Sequence, residues 1–150
     1  MLIKSIMTSD VKVCAPDTTL AATARIMSSR DCGIVPVVDS DGKLMGVITD
    51  RDVCLAVAAK VQSPDELSAR DVMTKKVYTC SPDDDARTAL KVMKNHAVRR
   101  VPVVTADGRL AGLISIDDLV LRADSHKGAA VSDDQVLDAF KSICARAVAA

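Results

Sequence analysis

Leu44-Met45-Gly46-Val47-Ile48-Thr49-Asp50-Arg51-Asp52-Val53 returns later in the chain as Leu110-Ala111-Gly112-Leu113-Ile114-Ser115-Ile116-Asp117-Asp118-Leu119. Each stretch reads as a short apolar strand running into a helix. A hydroxyl residue stands at the junction, with a carboxylate three positions on. Such junctions gather free backbone N–H groups and the positive end of the helix dipole, so they favour anions. The two junctions are read as paired nucleotide sites around which the rest of the chain is arranged.

The repetition reaches well beyond these ten residues. Shifted by 66 positions, residues 4–53 match 70–119 at seventeen places without a gap. Ordinary residue frequencies would give about three or four. The matches include Met7-Thr8 with Met73-Thr74, Cys14 with Cys80, Pro16-Asp17 with Pro82-Asp83, and Val35-Pro36-Val37-Val38 with Val101-Pro102-Val103-Val104. The chain is a duplication.

Each copy has the same predicted layout. A Met-Thr segment leads into a brief strand at Val11–Cys14 or Val77–Cys80. A helix follows, capped by Thr18 and Thr19 in the first copy and favoured by Asp83, Asp84 and Asp85 in the second. Its apolar face is Leu20, Ala24 and Met27, or Ala86, Leu90 and Met93. The next strands are Ile34–Val38 and Arg100–Val104, where Pro36 and Pro102 point to an edge or a strand entrance. Asp41-Gly42 and Asp107-Gly108 are hairpin signals. They lead to strands Leu44–Thr49 and Leu110–Ser115, then helices at 50–59 and 116–123. The expected division is 1–60 for the first domain, a polar linker at 61–68, and 69–124 for the second. Ser132-Asp133-Asp134-Gln135 is a capping-box pattern that opens a C-terminal helix over 131–148. Val136, Phe140, Ile143 and Ala147 share one face of that helix, and nothing after the first copy corresponds to it.

Composition narrows the functional classes. Hydrophobic residues make up 49% of 150, with Tyr78 and Phe140 the only aromatics, so the core is aliphatic. That argues against single-stranded nucleic acid, whose binders use aromatic stacking platforms. Twenty basic and twenty acidic side chains cancel, leaving no bulk electrostatic case for DNA, RNA or an acidic membrane. Five cysteines without a Cys-x-x-Cys spacing do not form a secreted disulfide framework. Met1-Leu2-Ile3-Lys4-Ser5 lacks a signal-peptide pattern and no apolar run reaches transmembrane length. A soluble protein of the reducing cytosol is expected.

Two readings of Thr49 with Asp52 and Ser115 with Asp118 stand side by side. Ser/Thr-x-x-Asp ahead of an apolar run is a capping box in its own right. Alternatively the hydroxyl and helix N-terminus meet a phosphate while the carboxylate accepts from a ribose diol. Gly46 and Gly112, three residues before each hydroxyl, weigh toward the second, because glycine inside a strand implies that something approaches closely.

The ordered set of motifs resembles a tandem pair of cystathionine-β-synthase (CBS) domains. The first copy carries Ile6-Met7-Thr8, Val35-Pro36-Val37-Val38-Asp39 and Gly46-Val47-Ile48-Thr49-Asp50-Arg51-Asp52-Val53. The second carries Val72-Met73-Thr74, Arg99-Arg100-Val101-Pro102-Val103-Val104 and Gly112-Leu113-Ile114-Ser115-Ile116-Asp117-Asp118-Leu119. The resemblance covers 1–123. It implies an α/β (α+β) fold of two repeats, each a small sheet with packed helices, related by a pseudo-two-fold axis. It also implies clefts between the repeats for an adenosine derivative: AMP, ADP, ATP, an NAD-type dinucleotide or S-adenosylmethionine. By the same resemblance Asp52 and Asp118 take the ribose, and Thr49 and Ser115 the phosphate side. Ile34 and Val101 line the adenine, and backbone around Val13–Cys14 and Val77–Thr79 borders the base. Family modules often form homodimers.

Arg99 and Arg100 stand where the first copy has Gly33 and Ile34. The resemblance places such a basic residue near phosphate in the cleft of the other repeat's carboxylate. The Thr49/Asp52 cleft, with Arg51 beside it, is then expected to prefer phosphorylated ligands, and the Ser115/Asp118 cleft neutral or cationic ones. The bland alternative is a solvated arginine pair. Tyr78 is placed near a cleft, to pack on a base or simply in a strand. His96 and His126 read as packing or surface residues, the repeated Met7/Met73 and Met27/Met93 pairs as core, and no zinc spacing is present. Cys14 and Cys80 read as buried apolar residues. No nucleophile stands with a base, so catalysis is not expected. The leading expectation is a stand-alone regulatory module needing no resident cofactor, with an adenine-type ligand and a protein target. The alternatives are an interaction or stress protein with vestigial clefts, and a thiol redox protein using Cys14, Cys32 or Cys80.

Overall fold

The computed structural model describes residues 1–60, 62–124 and 130–148, without the side chains of Lys60, Arg146, Ala147 and Val148. His126 and most of the Asp124–Ala130 break lie outside the described residues, as does the side chain of Ala147. The chain is mixed helix and strand and divides into two compact units that do not coincide with the sequence repeats. The N-repeat unit is Asp10–Val77 with Asp107–Leu110. The C-repeat unit is Met1–Ser9, Tyr78–Ala106 and Ala111–Ala150.

In the N-repeat unit the order is α1 (Leu20–Arg30), β1 (Ile34–Val38), β2 (Leu44–Thr49), α2 (Asp50–Lys60) and the short α3 (Ala69–Val72). Thr19 caps α1, its hydroxyl accepting the Ala22 N–H at 3.2 Å. Asp31 closes the helix in the left-handed region. β1 and β2 pair antiparallel, Ile34 opposite Thr49, across a turn in which Gly42 takes a φ of 78°. Leu20, Met27, Val35, Val37, Ile48, Leu67 and Met73 form the core. Leu67 comes from the stretch read as a polar linker, and its carbonyl accepts the Leu20 N–H at 2.9 Å. Thr23, rather than Ala24, is the fully buried residue on the middle of α1, and its hydroxyl donates to the Thr19 carbonyl at 3.0 Å.

The C-repeat unit repeats the plan with α4 (Ala86–His96), β3 (Arg100–Val104), β4 (Leu110–Ser115), α5 (Ile116–Val120) and α6 (Asp133–Val148). Ile3, Ile6, Leu90, Met93, Val101, Val103, Ile114 and Leu119 are buried together. Three expectations are corrected here. The strands read at Val11–Cys14 and Val77–Cys80 shrink to single parallel bridges, Cys14 to Val37 and Cys80 to Val103. The next ladder donor in each would be the N–H of Pro16 or Pro82, which does not exist. α5 ends at Val120, short of 123. The capping box at α6 forms, with Ser132 and Gln135 exchanging bonds at 3.1 and 3.3 Å. The buried face, however, is Val136, Ala139 and Ile143, and Phe140 is 39% exposed.

The two units differ from the repeats because the Met-Thr segments are exchanged. Thr8 pairs with Leu113 on the outer side of β4, both N–H···O bonds measuring 2.9 Å. Thr74 pairs with Val47 on β2, at 2.8 and 3.0 Å. Each copy's opening segment thus completes the sheet of the other copy. No helix among the described residues is long and apolar enough to cross a membrane.

Candidate functional site

The two strand–helix junctions are built alike. In the N-repeat unit the Thr49 N–H and hydroxyl both donate to Asp52 Oδ2, at 2.9 and 2.8 Å, and the Asp52 N–H donates back to Thr49 Oγ1 at 3.2 Å. In the C-repeat unit Ser115 and Asp118 do the same at 2.8, 2.7 and 3.2 Å. All four residues are half-buried. The capping reading is therefore realised at both places. Each carboxylate spends one oxygen on the cap, and Oδ1 takes no hydrogen bond among the described residues, so it remains available to a diol. The hydroxyl proton points at the carboxylate; a phosphate would receive it only by displacing Oδ2.

Cap geometry alone does not single these junctions out. Ser68 and Asp71 form the same box at α3, at 2.9 and 2.6 Å, with Asp71 exposed. What distinguishes the other two is half-burial at the end of a strand. The strand glycines also have a different reason from the one the sequence suggested. A Cβ on Gly46 would lie 2.8 Å from the Thr74 carbonyl oxygen and 2.9 Å from Met73 Sδ. On Gly112 it would lie 2.6 Å from the Thr8 carbonyl oxygen and 2.9 Å from Met7 Sδ. The close approach is made by the exchanged Met-Thr segment.

The remaining residues divide between the units. Val13, Ile34, Thr49, Asp52 and Val77 belong to the N-repeat unit. Ile34 is buried opposite Thr49, Val77 is half-buried and Val13 is exposed. Tyr78, Arg99, Arg100, Val101, Ser115 and Asp118 belong to the C-repeat unit. Val101 is fully buried there, and both arginines are exposed. The Arg99 carbonyl accepts the Ile116 N–H at 2.9 Å, fixing the entrance of β3 beside the start of α5.

Two contacts were not legible beforehand. The Tyr78 ring stacks on His96, centroids 3.4 Å apart and planes within 8°, so one face of Tyr78 is already covered. The Arg99 guanidinium sits over the Phe140 ring, 5.6 Å from its centroid.

Cys14 and Cys80 are buried as expected. Burial raises the Cys14 thiol pKa, partly opposed by a hydrogen bond with Thr23. Burial, aided by the Asp84 carboxylate, pushes Cys80 up to about 11. Both are held as neutral thiols at neutral pH, a poor state for thiol exchange.

Comparison with known proteins follows the sequence repeats rather than the two compact units. The CBS domain family profile matches residues 3–59 and 69–124. The uncharacterized protein YlbB of Bacillus subtilis is 34% identical over 134 residues, spanning 87% of this chain and 89% of YlbB. The crystal structure of hypoxic response protein I, which holds two coordinated zinc ions, superposes with a TM-score of 0.75 at 29% identity, covering 83% of this chain and all of that one. The CBS domain pair of protein MJ0100, solved with 5′-methylthioadenosine and S-adenosyl-L-methionine, superposes with a TM-score of 0.69 at 27% identity, covering 81% and 94%.

Proposed function

The chain belongs to the CBS domain family, as a tandem pair, and from that premise we propose that it is a regulatory module that binds an adenosine-containing ligand and passes the binding event to a protein partner. The observation that carries this reading is the repeated, half-buried Ser/Thr–Asp cap with an unspent carboxylate oxygen. An aspartate oxygen facing a ribose diol is a charge-assisted acceptor with no competing donor. Support comes from MJ0100, whose structure contains two adenosine derivatives. The zinc of hypoxic response protein I does not enter the proposal. Among the described residues no three His, Cys, Asp or Glu side chains are grouped to hold a metal.

The test is calorimetric titration of nucleotide-free protein with AMP, ATP, NAD, NADH and S-adenosylmethionine. Asp52→Asn and Asp118→Asn are the variants to pair with it, because asparagine keeps an oxygen for the cap and removes the charge. Micromolar binding of one ligand, weakened about tenfold or more in one variant, is expected. A folded protein that binds none of the five overturns the proposal.

A further inference from the structure

α6 begins after residue 124, where the second family match ends, so what its surface does is particular to this chain. One side of the helix is committed to the fold. Val136, Ala139 and Ile143 are buried in the C-repeat core, and Asp138 is ion-paired with Lys94 of α4. At about 100° per residue, the side turned away from those three carries Asp134, Leu137, Lys141 and Ala145. All four are exposed. Among the described residues neither Asp134 nor Lys141 forms an ion pair.

The order along this stripe is acid, leucine, base, with the acid and the base two turns apart, about 10 Å. Turned end over end, the stripe reads base, leucine, acid. Consider a second α6 laid antiparallel against the first, about a two-fold axis midway between positions 137 and 138. Asp134 of each copy then stands opposite Lys141 of the other, and the two Leu137 side chains meet beside the axis. Asp138, the other charge near that axis, is already neutralised by Lys94. An unrelated partner would gain nothing from this symmetry, whereas an isologous contact between two copies depends on it.

We propose that the outward face of α6 is a self-association surface, on which two copies of this chain pair antiparallel through Leu137 with an Asp134–Lys141 ion pair on either side. A single helix pair is a small interface and exposed ion pairs are weak. The dimer is therefore concentration-dependent and loosens as salt rises. It is independent of the adenosine reading.

The test is sedimentation equilibrium on the full chain over a range of concentrations. The samples are wild type, Lys141→Glu, Asp134→Lys and an equimolar mixture of those two variants. Both positions lie off the buried face, and Asp133 still serves the positive end of the helix when Asp134 is replaced. Thermal unfolding checks that each variant keeps its fold. Either variant alone sets like charges opposite one another, and its dissociation constant should rise about tenfold. In the mixture one variant supplies both acids and the other both bases, so the constant should return to within about twofold of wild type. Leu137→Ala, which truncates the central contact in both copies, should weaken association at least as much as either charge reversal. A wild type that stays monomeric throughout overturns the proposal. So does self-association that neither charge reversal weakens, or a mixture that associates no better than its components.

Discussion

Gly112 lies so close to Thr8 that a Cβ added to it would stand 2.6 Å from the Thr8 carbonyl oxygen. Real Cβ atoms do not approach backbone oxygen so closely, and the oxygen is tied down by the Leu113 N–H at 2.9 Å. Gly112→Ala should cost about 1–3 kcal/mol, because neither backbone can yield without breaking the bridge. Gly108→Ala is the contrast. Its added methyl meets nothing within 4 Å, and only the φ of 85° is strained, at about 1 kcal/mol. Urea denaturation of the two variants checks the order.

The exchange of segments makes a second prediction about where instability appears. Ile3 is fully buried among Leu90, Met93 and Val101, residues far from it in sequence. Ile3→Ala should cost about 2–4 kcal/mol. Faster amide exchange should appear in α4, β3 and β4, with α1, β1 and β2 unaffected. Faster exchange in α1 instead would contradict the unit assignment.

α6 offers a matched pair of its own. Ile143 is buried against the C-repeat core, whereas Leu137, on the same helix, is 51% exposed. Ile143→Ala should lose about 2–5 kcal/mol and Leu137→Ala within about 0.5 kcal/mol, read from thermal or urea unfolding. Removal of residues 131–150 should unfold the C-repeat unit.

The thiols predict a pH dependence. In the unfolded chain Cys80 has the ordinary value of 9.0, and in the fold it is pushed up to about 11. The fold binds that proton more tightly, so the stabilisation is complete below pH 9 and disappears as pH rises from 9 toward 11. A Cys80→Ala protein should show a flatter stability curve across that window. At pH 8, alkylation of native protein should mark exposed Cys54 first, with Cys14 and Cys80 reacting only on unfolding.

Caps and ligand residues can also be separated. Ser115→Ala removes the hydroxyl that accepts the Asp118 N–H, at about 1 kcal/mol of stability. Asp118→Asn keeps a cap acceptor and should cost less stability. If Asp118 serves a ribose, it should cost more affinity for the adenosine ligand. Paired melting and calorimetric curves distinguish the two.

Much of this architecture is local and so could be read from residue order. Thr19 ahead of α1, the Asp-Gly turns and the Ser132–Gln135 box act over three or four residues, and each formed as its chemistry required. The duplication fixed the order of elements in both halves. Phe140 was misplaced because one residue is a 100° turn on a helix, and a face defined by two or three apolar positions leaves Ala139 and Phe140 interchangeable until α4 packs against one of them.

The deepest ambiguity came from the repeat itself. Met7-Thr8 and Met73-Thr74 carry the same motif, and Gly46 and Gly112 offer the same slot, so either segment matches either strand by sequence. Local chemistry is degenerate between pairing at home and pairing across. Long-range packing breaks the tie: Ile3 and Ile6 are buried beside Met93 and Val101, while Leu67 and Met73 are buried beside Leu20 and Val37. The strand glycines were correctly recognised as places of close approach, but the visitor is backbone from the other repeat. That identity depends on which surfaces meet, which no stretch of residues specifies alone.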